Sequence, residues 1–124
     1  MPLLAPISVG ELIDKITILE IKEARIADES KRVNVRHELE ALRSIETSNV
    51  PVDRIDELRE VNRALWDIED AIREKERAQE FDERFVELAR SVYYTNDRRG
   101  VIKREINEIS GSDLVEEKDY RRYK

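Results

Sequence analysis

Residues 52–78, VDRIDELREVNRALWDIEDAIREKERA, decide the fold. Ile55, Leu58, Leu65 and Ile72 recur at intervals of three and seven, which puts them on one face of an α-helix. That face also carries Asn62, Glu69 and Arg73, where an apolar residue would be the ordinary choice. A buried polar group costs stability unless it is paired. The stripe is therefore either a satisfied internal network or the lining of a site.

Working outward, Pro51 biases Val50 away from helical geometry and opens this helix, which runs to about Ala78. Phe81-Asp82 restarts the chain, with Asp82 as N-cap and Phe81 placed to pack on Val86. The next helix extends to about Ile109, and Ser110-Gly111-Ser112 ends it. Its inward face joins Phe85, Ala89, Val92 and Ile106 with Asn96, Arg99, Lys103 and Asn107, so it repeats the polar intrusion.

Towards the N-terminus, Ser8 and Glu11 form a capping box, with Ile7 and Leu12 as a staple. A helix follows to about Asp28 with Leu12, Ile16, Leu19 and Ile26 on one arc, Glu20 and Glu23 in or beside it, and Ile18 and Ile21 on the other side. Apolar groups on two sides require two neighbours. A second helical segment, about Lys31 to Glu46, carries Val35, Leu39 and Leu42; no Gly or Pro separates it from the first, so one bent helix is an alternative. The fold expected is all-α: a single domain over 1–124, an antiparallel bundle of three to four helices. A charged tail from about 112 to 124 would dock through Leu114, Val115, Tyr120 and Tyr123.

Composition narrows the function classes. With no cysteine, disulfide scaffolds, thiolate nucleophiles and cysteine-ligated zinc are excluded, and a reducing cytoplasm is the expected compartment. No apolar run approaches the roughly 20 residues of a membrane span, so no membrane insertion is expected. A net charge of −6 argues against nucleic acid as a partner, because that affinity comes from clustered Lys and Arg neutralising phosphates. The local run Arg98, Arg99, Lys103 and Arg104 is interrupted by Asp97 and Glu105 and reads as a solvated face.

Several residues could carry chemistry. Glu69 and Arg73 stand four apart, the spacing of an intrahelical ion pair; on a buried face its loss would cost about 3–5 kcal/mol. Trp66 is expected in the core with its indole N–H satisfied. Gly100 costs about 1 kcal/mol relative to Ala inside a helix, so something gains from close approach there: a neighbouring helix, or a ligand among Asn96, Arg99 and Lys103. Asn96 and Asn107 also suit a register-setting role. Glu20-x-x-Glu23 has the spacing at which helical nucleotide pyrophosphohydrolases hold Mg²⁺, but Asp67-x-x-Asp70 does not turn a matching pair inward. His37 is the lone histidine, set among charges and expected in solvent. No Gly-rich phosphate loop and no nucleophile elbow occurs, and neither a metal nor a cofactor is expected.

The segments SVGELIDKITILEIK (8–22), LWDIED (65–70), ARSVY (89–93), NDRR (96–99) and EEKDY (116–120) resemble a family of uncharacterised bacterial all-helical proteins, over nearly the whole chain. That resemblance implies no activity. Ile13-Asp14-Lys15-Ile16 with Leu19 also resembles the opening helix of helical chorismate mutases, without that helix's early arginine and with Thr17 in place of its second aspartate.

Two functions follow as expectations. The first is a non-catalytic helical module that self-associates, through the face of Ile18 and Ile21, or docks on a partner protein. The second is an enzyme or binder for a small anionic metabolite such as a phosphate, sugar nucleotide or dicarboxylate. In that reading Arg73, Arg99 and Lys103 hold the anion and Glu20 or Glu69 is acid or base. Contact among Glu20, Glu23, Glu69, Arg73, Arg99 and Lys103 favours the first; a cavity between them favours the second.

Overall fold

The computed structural model describes residues 1–123 and contains four helices: α1 (Val9–Arg25), α2 (Glu29–Arg43), α3 (Val52–Ala78) and α4 (Glu83–Ser110). Among the described residues there is no strand. The first two helices are separate, because Asp28 caps α2 by accepting from the backbone N–H of Ser30 and Lys31. Ser8 caps α1 as its sequence predicts, but the capping box is half made: Ser8 Oγ accepts from Glu11 N, while the Glu11 carboxylate turns to Lys103. Among the described residues no helix is long and apolar enough to cross a membrane.

α3 and α4 form an antiparallel hairpin with a heptad seam. Leu58, Val61, Leu65, Ile68, Ile72 and Lys75 on α3 follow the alternating three- and four-residue spacing of positions a and d. Phe85, Leu88, Val92, Thr95, Arg99, Ile102 and Ile106 do the same on α4, and all thirteen are buried or half-buried. At the tip Gln79 takes a left-handed conformation (φ 55°), and Lys75 closes the turn on Glu80 (3.0 Å) and Asp82 (2.8 Å). Phe81 packs edge-on against Phe85, ring centres 5.2 Å apart, instead of on Val86, which is exposed.

α1 is central and touches all three other helices, whereas α2 packs on α1 alone. Of the arc Leu12, Ile16, Leu19 and Ile26, the last three serve α2, where Leu19, Val35 and Leu39 form a small core. A second stripe on α1, Gly10, Asp14, Thr17 and Ile21, is buried, and polar contacts from its Gly10, Asp14 and Thr17 reach the hairpin. Its neighbour Ile13 joins Val50, Leu58, Val61, Ile102 and Ile106 in the main core. Ile21 is thus covered within one chain and Ile18 half-covered, so the open face expected there does not exist.

Helix lengths set the shape. At 1.5 Å per residue α1 is about 25 Å long and α3 about 40 Å. α1 ends level with Asp67, which Arg25 grips at 2.5 Å. Beyond that point the hairpin continues as an arm of two helices.

A buried polar seam and the groove above it

The polar stripes of the hairpin meet α1 and close on each other. Asp14, 1% exposed, receives Arg99 through Nε at 2.9 Å and Nη2 at 2.5 Å. Asn62 Nδ2 donates to Asp14 Oδ1 (3.0 Å) and to Thr17 Oγ1 (2.9 Å). The Thr17 hydroxyl in turn donates to the Asp14 carbonyl. Burial alone would push the Asp14 carboxyl up, but the hydrogen bonds from Arg99 and Asn62, with the charges of Arg99 and Lys103, hold it below the usual carboxylate range. The Asp14 carboxylate raises Arg99 further.

One turn along α4, the buried Lys103 ammonium bridges Glu11 (2.7 Å) and Glu116 of the tail (2.8 Å). Burial pulls Lys103 down, and the two carboxylates more than offset it. At the end of the seam Asn107 Oδ1 accepts from Gly10 N at 2.7 Å. The approach is close because residue 10 is glycine: a Cβ there would sit 2.6 Å from the Lys103 carbonyl oxygen.

The residues named from sequence divide into groups. Asn62, Arg99, Lys103 and Asn107 come together in this seam. Glu69 and Arg73 do not: their ion pair is long (3.5 Å) and superficial, with side chains 43% and 74% exposed. Asn62 and Glu69 share heptad position e, but α1 covers only the first, and Arg73 lies one position further round. Glu20 is bound by Arg59 (2.8 Å) and Arg43 (3.4 Å) at the edge of α1, and Glu23 has no ion-pair partner among the described residues. Hence the acids of the seam are Asp14, Glu11 and Glu116 rather than Glu20, Glu23 and Glu69. Among the described residues no group of His, Asp or Glu gathers as a metal set. Trp66 is only half-buried and its indole finds no partner among them, and His37 is exposed. The basic run splits: Arg99 and Lys103 turn into the seam, Arg98 and Arg104 face outward.

Above the seam the tail doubles back along α4. Ser112 Oγ accepts from Val9 N, Glu116 reaches Lys103, Glu117 reaches Arg104 and the Tyr123 hydroxyl donates to Asp97. That bond raises the Tyr123 phenol to about 12. The tail is therefore fastened by polar groups and by the Tyr123 ring, which packs on Tyr93 and Tyr94, while Leu114, Val115 and Tyr120 are exposed instead of acting as anchors. Between tail and helix lies a groove of about 1340 Å³, with Asn96, Arg99, Gly100 and Lys103 on its helical wall. The neighbour over Gly100 is the Lys118 side chain of the tail rather than another helix, 3.7 Å from where a Cβ would be.

Fold and seam define a class: an all-α protein in which a central helix is locked to a heptad hairpin by buried, mutually neutralising polar groups. Residues 3–123 match a family of unknown function, DUF6165, and the chain belongs to that family. No curated protein and no solved structure matches it.

Proposed function

We propose that this chain is a non-catalytic helical module that pairs with a second copy of itself along the arm of its hairpin. One observation carries the reading: the trough α1 fills beside Asn62 and Lys103 continues past Arg25 with no helix in it. By heptad position its continuation is walled by Glu69 and Arg73 on α3 and by Val86 and Ala89 on α4, with Trp66 at its start; Arg73, Val86 and Ala89 are exposed, Glu69 and Trp66 half-exposed. A helix laid into such a trough is a recurrent mode of recognition. The charged groups of the seam support the non-catalytic part, because Asp14, Arg99 and Lys103 are each held by partners at 2.5–3.0 Å. A group so held is not poised to exchange a proton with a substrate. The absence of cysteine and the resemblance to bacterial proteins support a bacterial cytoplasm as the module's setting.

Light scattering over a range of concentrations tests the pairing. The wild type is expected to dimerise and Val86→Glu and Ala89→Glu to be monomers with unchanged helical circular dichroism. A wild type that stays monomeric at the highest concentration, or charged variants that dimerise equally well, would overturn it.

A further inference from the structure

We propose that the groove between α4 and the tail is a binding site for a nucleoside diphosphate, an anion that carries a flat ring. The inference is independent of the pairing through the arm. Its first support is charge. The chain as a whole carries −6, yet the groove is lined by Arg99, Lys103, Arg104, Lys118, Arg121 and Arg122 with Asp97 and Glu116, and although Asp14, Glu11 and Glu117 pair Arg99, Lys103 and Arg104 from outside the lining, cations remain in excess. Arg121 and Arg122 have no ion-pair partner among the described residues. Two guanidiniums without an ion-pair partner on a concave wall attract anions.

The second support is Gly100. A glycine in the middle of a 28-residue helix weakens it, and the tail does not require one. An alanine Cβ at this position would meet Lys118 at 3.7 Å, an ordinary contact with the end of a flexible side chain. The bare strip of helix has a use only if something else passes close above it.

The two ends of the groove say what that is. At one end Tyr93, Tyr94 and Tyr123 form a cluster with ring centres 4.9–5.1 Å apart, each ring partly exposed. A flat ring stacks on such a surface. At the other end Lys103 already holds an anion, the Glu116 carboxylate, supplied by the tail itself. A phosphate that displaces Glu116 from Lys103 satisfies the same ammonium and draws in Arg121 or Arg122, as charge-assisted bonds to phosphate favour. Tyr93 stands seven residues before Gly100 on the same face of α4 and ten before Lys103, about 15 Å along the helix axis. That separation suits a base and a diphosphate joined through a ribose, with Gly100 beneath the sugar.

Isothermal titration calorimetry with ADP and UDP tests the site, with adenosine, inorganic pyrophosphate and a single-stranded oligonucleotide as comparison probes. The diphosphates are expected to bind, and adenosine and pyrophosphate each at least tenfold more weakly. Gly100→Ala should melt at or above the wild-type temperature and bind ADP several-fold more weakly, a combination that a purely structural glycine cannot give. Glu116→Gln, which removes the internal competitor, should bind ADP more tightly. No binding of ADP or UDP at millimolar concentration overturns the proposal. So does pyrophosphate binding equal to ADP, an oligonucleotide binding more tightly than either nucleotide, or affinity unchanged in both variants.

Discussion

Asn62 and Glu69 occupy the same heptad position of the same helix, one heptad apart, and live in different surroundings. Asn62 is buried and gives both its amide hydrogens to α1; Glu69 is partly exposed beside a long ion pair. The difference lies in the neighbour, not in the residue: α1 covers the hairpin up to Asp67 and no further. The lower half of the hairpin is a three-helix core with a polar seam, and the upper half is a two-helix arm whose only fully buried member is Leu88. A helical wheel sees both halves as one stripe, since it contains no information on where a covering helix ends.

Core truncations should separate the halves most. Leu58 is wholly buried in the main cluster, so Leu58→Ala is expected to cost about 4 kcal/mol, towards the upper end for such changes. Leu88→Ala in the arm should cost about 2 kcal/mol, because a two-helix contact collapses more readily around a lost side chain. Equal losses in urea melts would mean that the arm is packed as firmly as the body.

Asp14→Ala follows, at about 3 kcal/mol; the figure sits low for a broken buried pair because Arg99 keeps some contact with water. Its pH dependence has a definite sign. The folded carboxyl lies below its unfolded value of about 3.9, so its contribution is complete above that value and disappears as pH falls through the folded one. The stability gap between wild type and Asp14→Ala should be flat near neutrality and narrow in acid. A gap that widens in acid would contradict the pairing with Arg99.

Gly10→Ala forces a Cβ against the Lys103 carbonyl and should cost about 1–3 kcal/mol by pushing α1 off α4. Gly100→Ala, at the groove, should cost nothing in the same melts, and a large loss there would mean that the tail fits α4 more tightly than 3.7 Å implies. The smallest effect belongs to Glu69→Ala. As a surface pair four residues apart it should change stability by about 0.3–0.5 kcal/mol, where the sequence alone predicts ten times more.

Much of the fold is legible in the sequence. Ser8, Asp82 and Gly111 mark helix ends as capping chemistry requires, and the α3 boundaries follow from Pro51 and the spacing of its apolar residues. The site is legible in part. Asn62, Arg99, Lys103 and Asn107 stand out because each interrupts an apolar face of the hairpin. Their counterparts Asp14, Thr17 and Glu11 escape notice because the apolar arc of α1 points to α2, and attention to that arc hides the stripe Gly10, Asp14, Thr17. A signal was present: two unpaired cations on an inward face require acids on whatever packs there, and Asp14 recurs at the right interval from Gly10 and Thr17. The part played by Glu116 has no helical period to reveal it, since the tail is not a helix.

The contacts of α1 with α4 and the tail join residues far apart in the chain: Asp14 to Arg99, Gly10 to Asn107 and Val9 to Ser112, separations of 85, 97 and 103. The hairpin, by contrast, closes across a turn of four residues. Loop closure makes the second far quicker than the first. A refolding chain is therefore expected to form the hairpin early and to carry Arg99 and Lys103 in water until α1 docks. Only the last step dehydrates them. Weakening the seam should then leave the folding rate nearly unchanged and speed unfolding, so the polar lock acts chiefly on how long the finished molecule lasts.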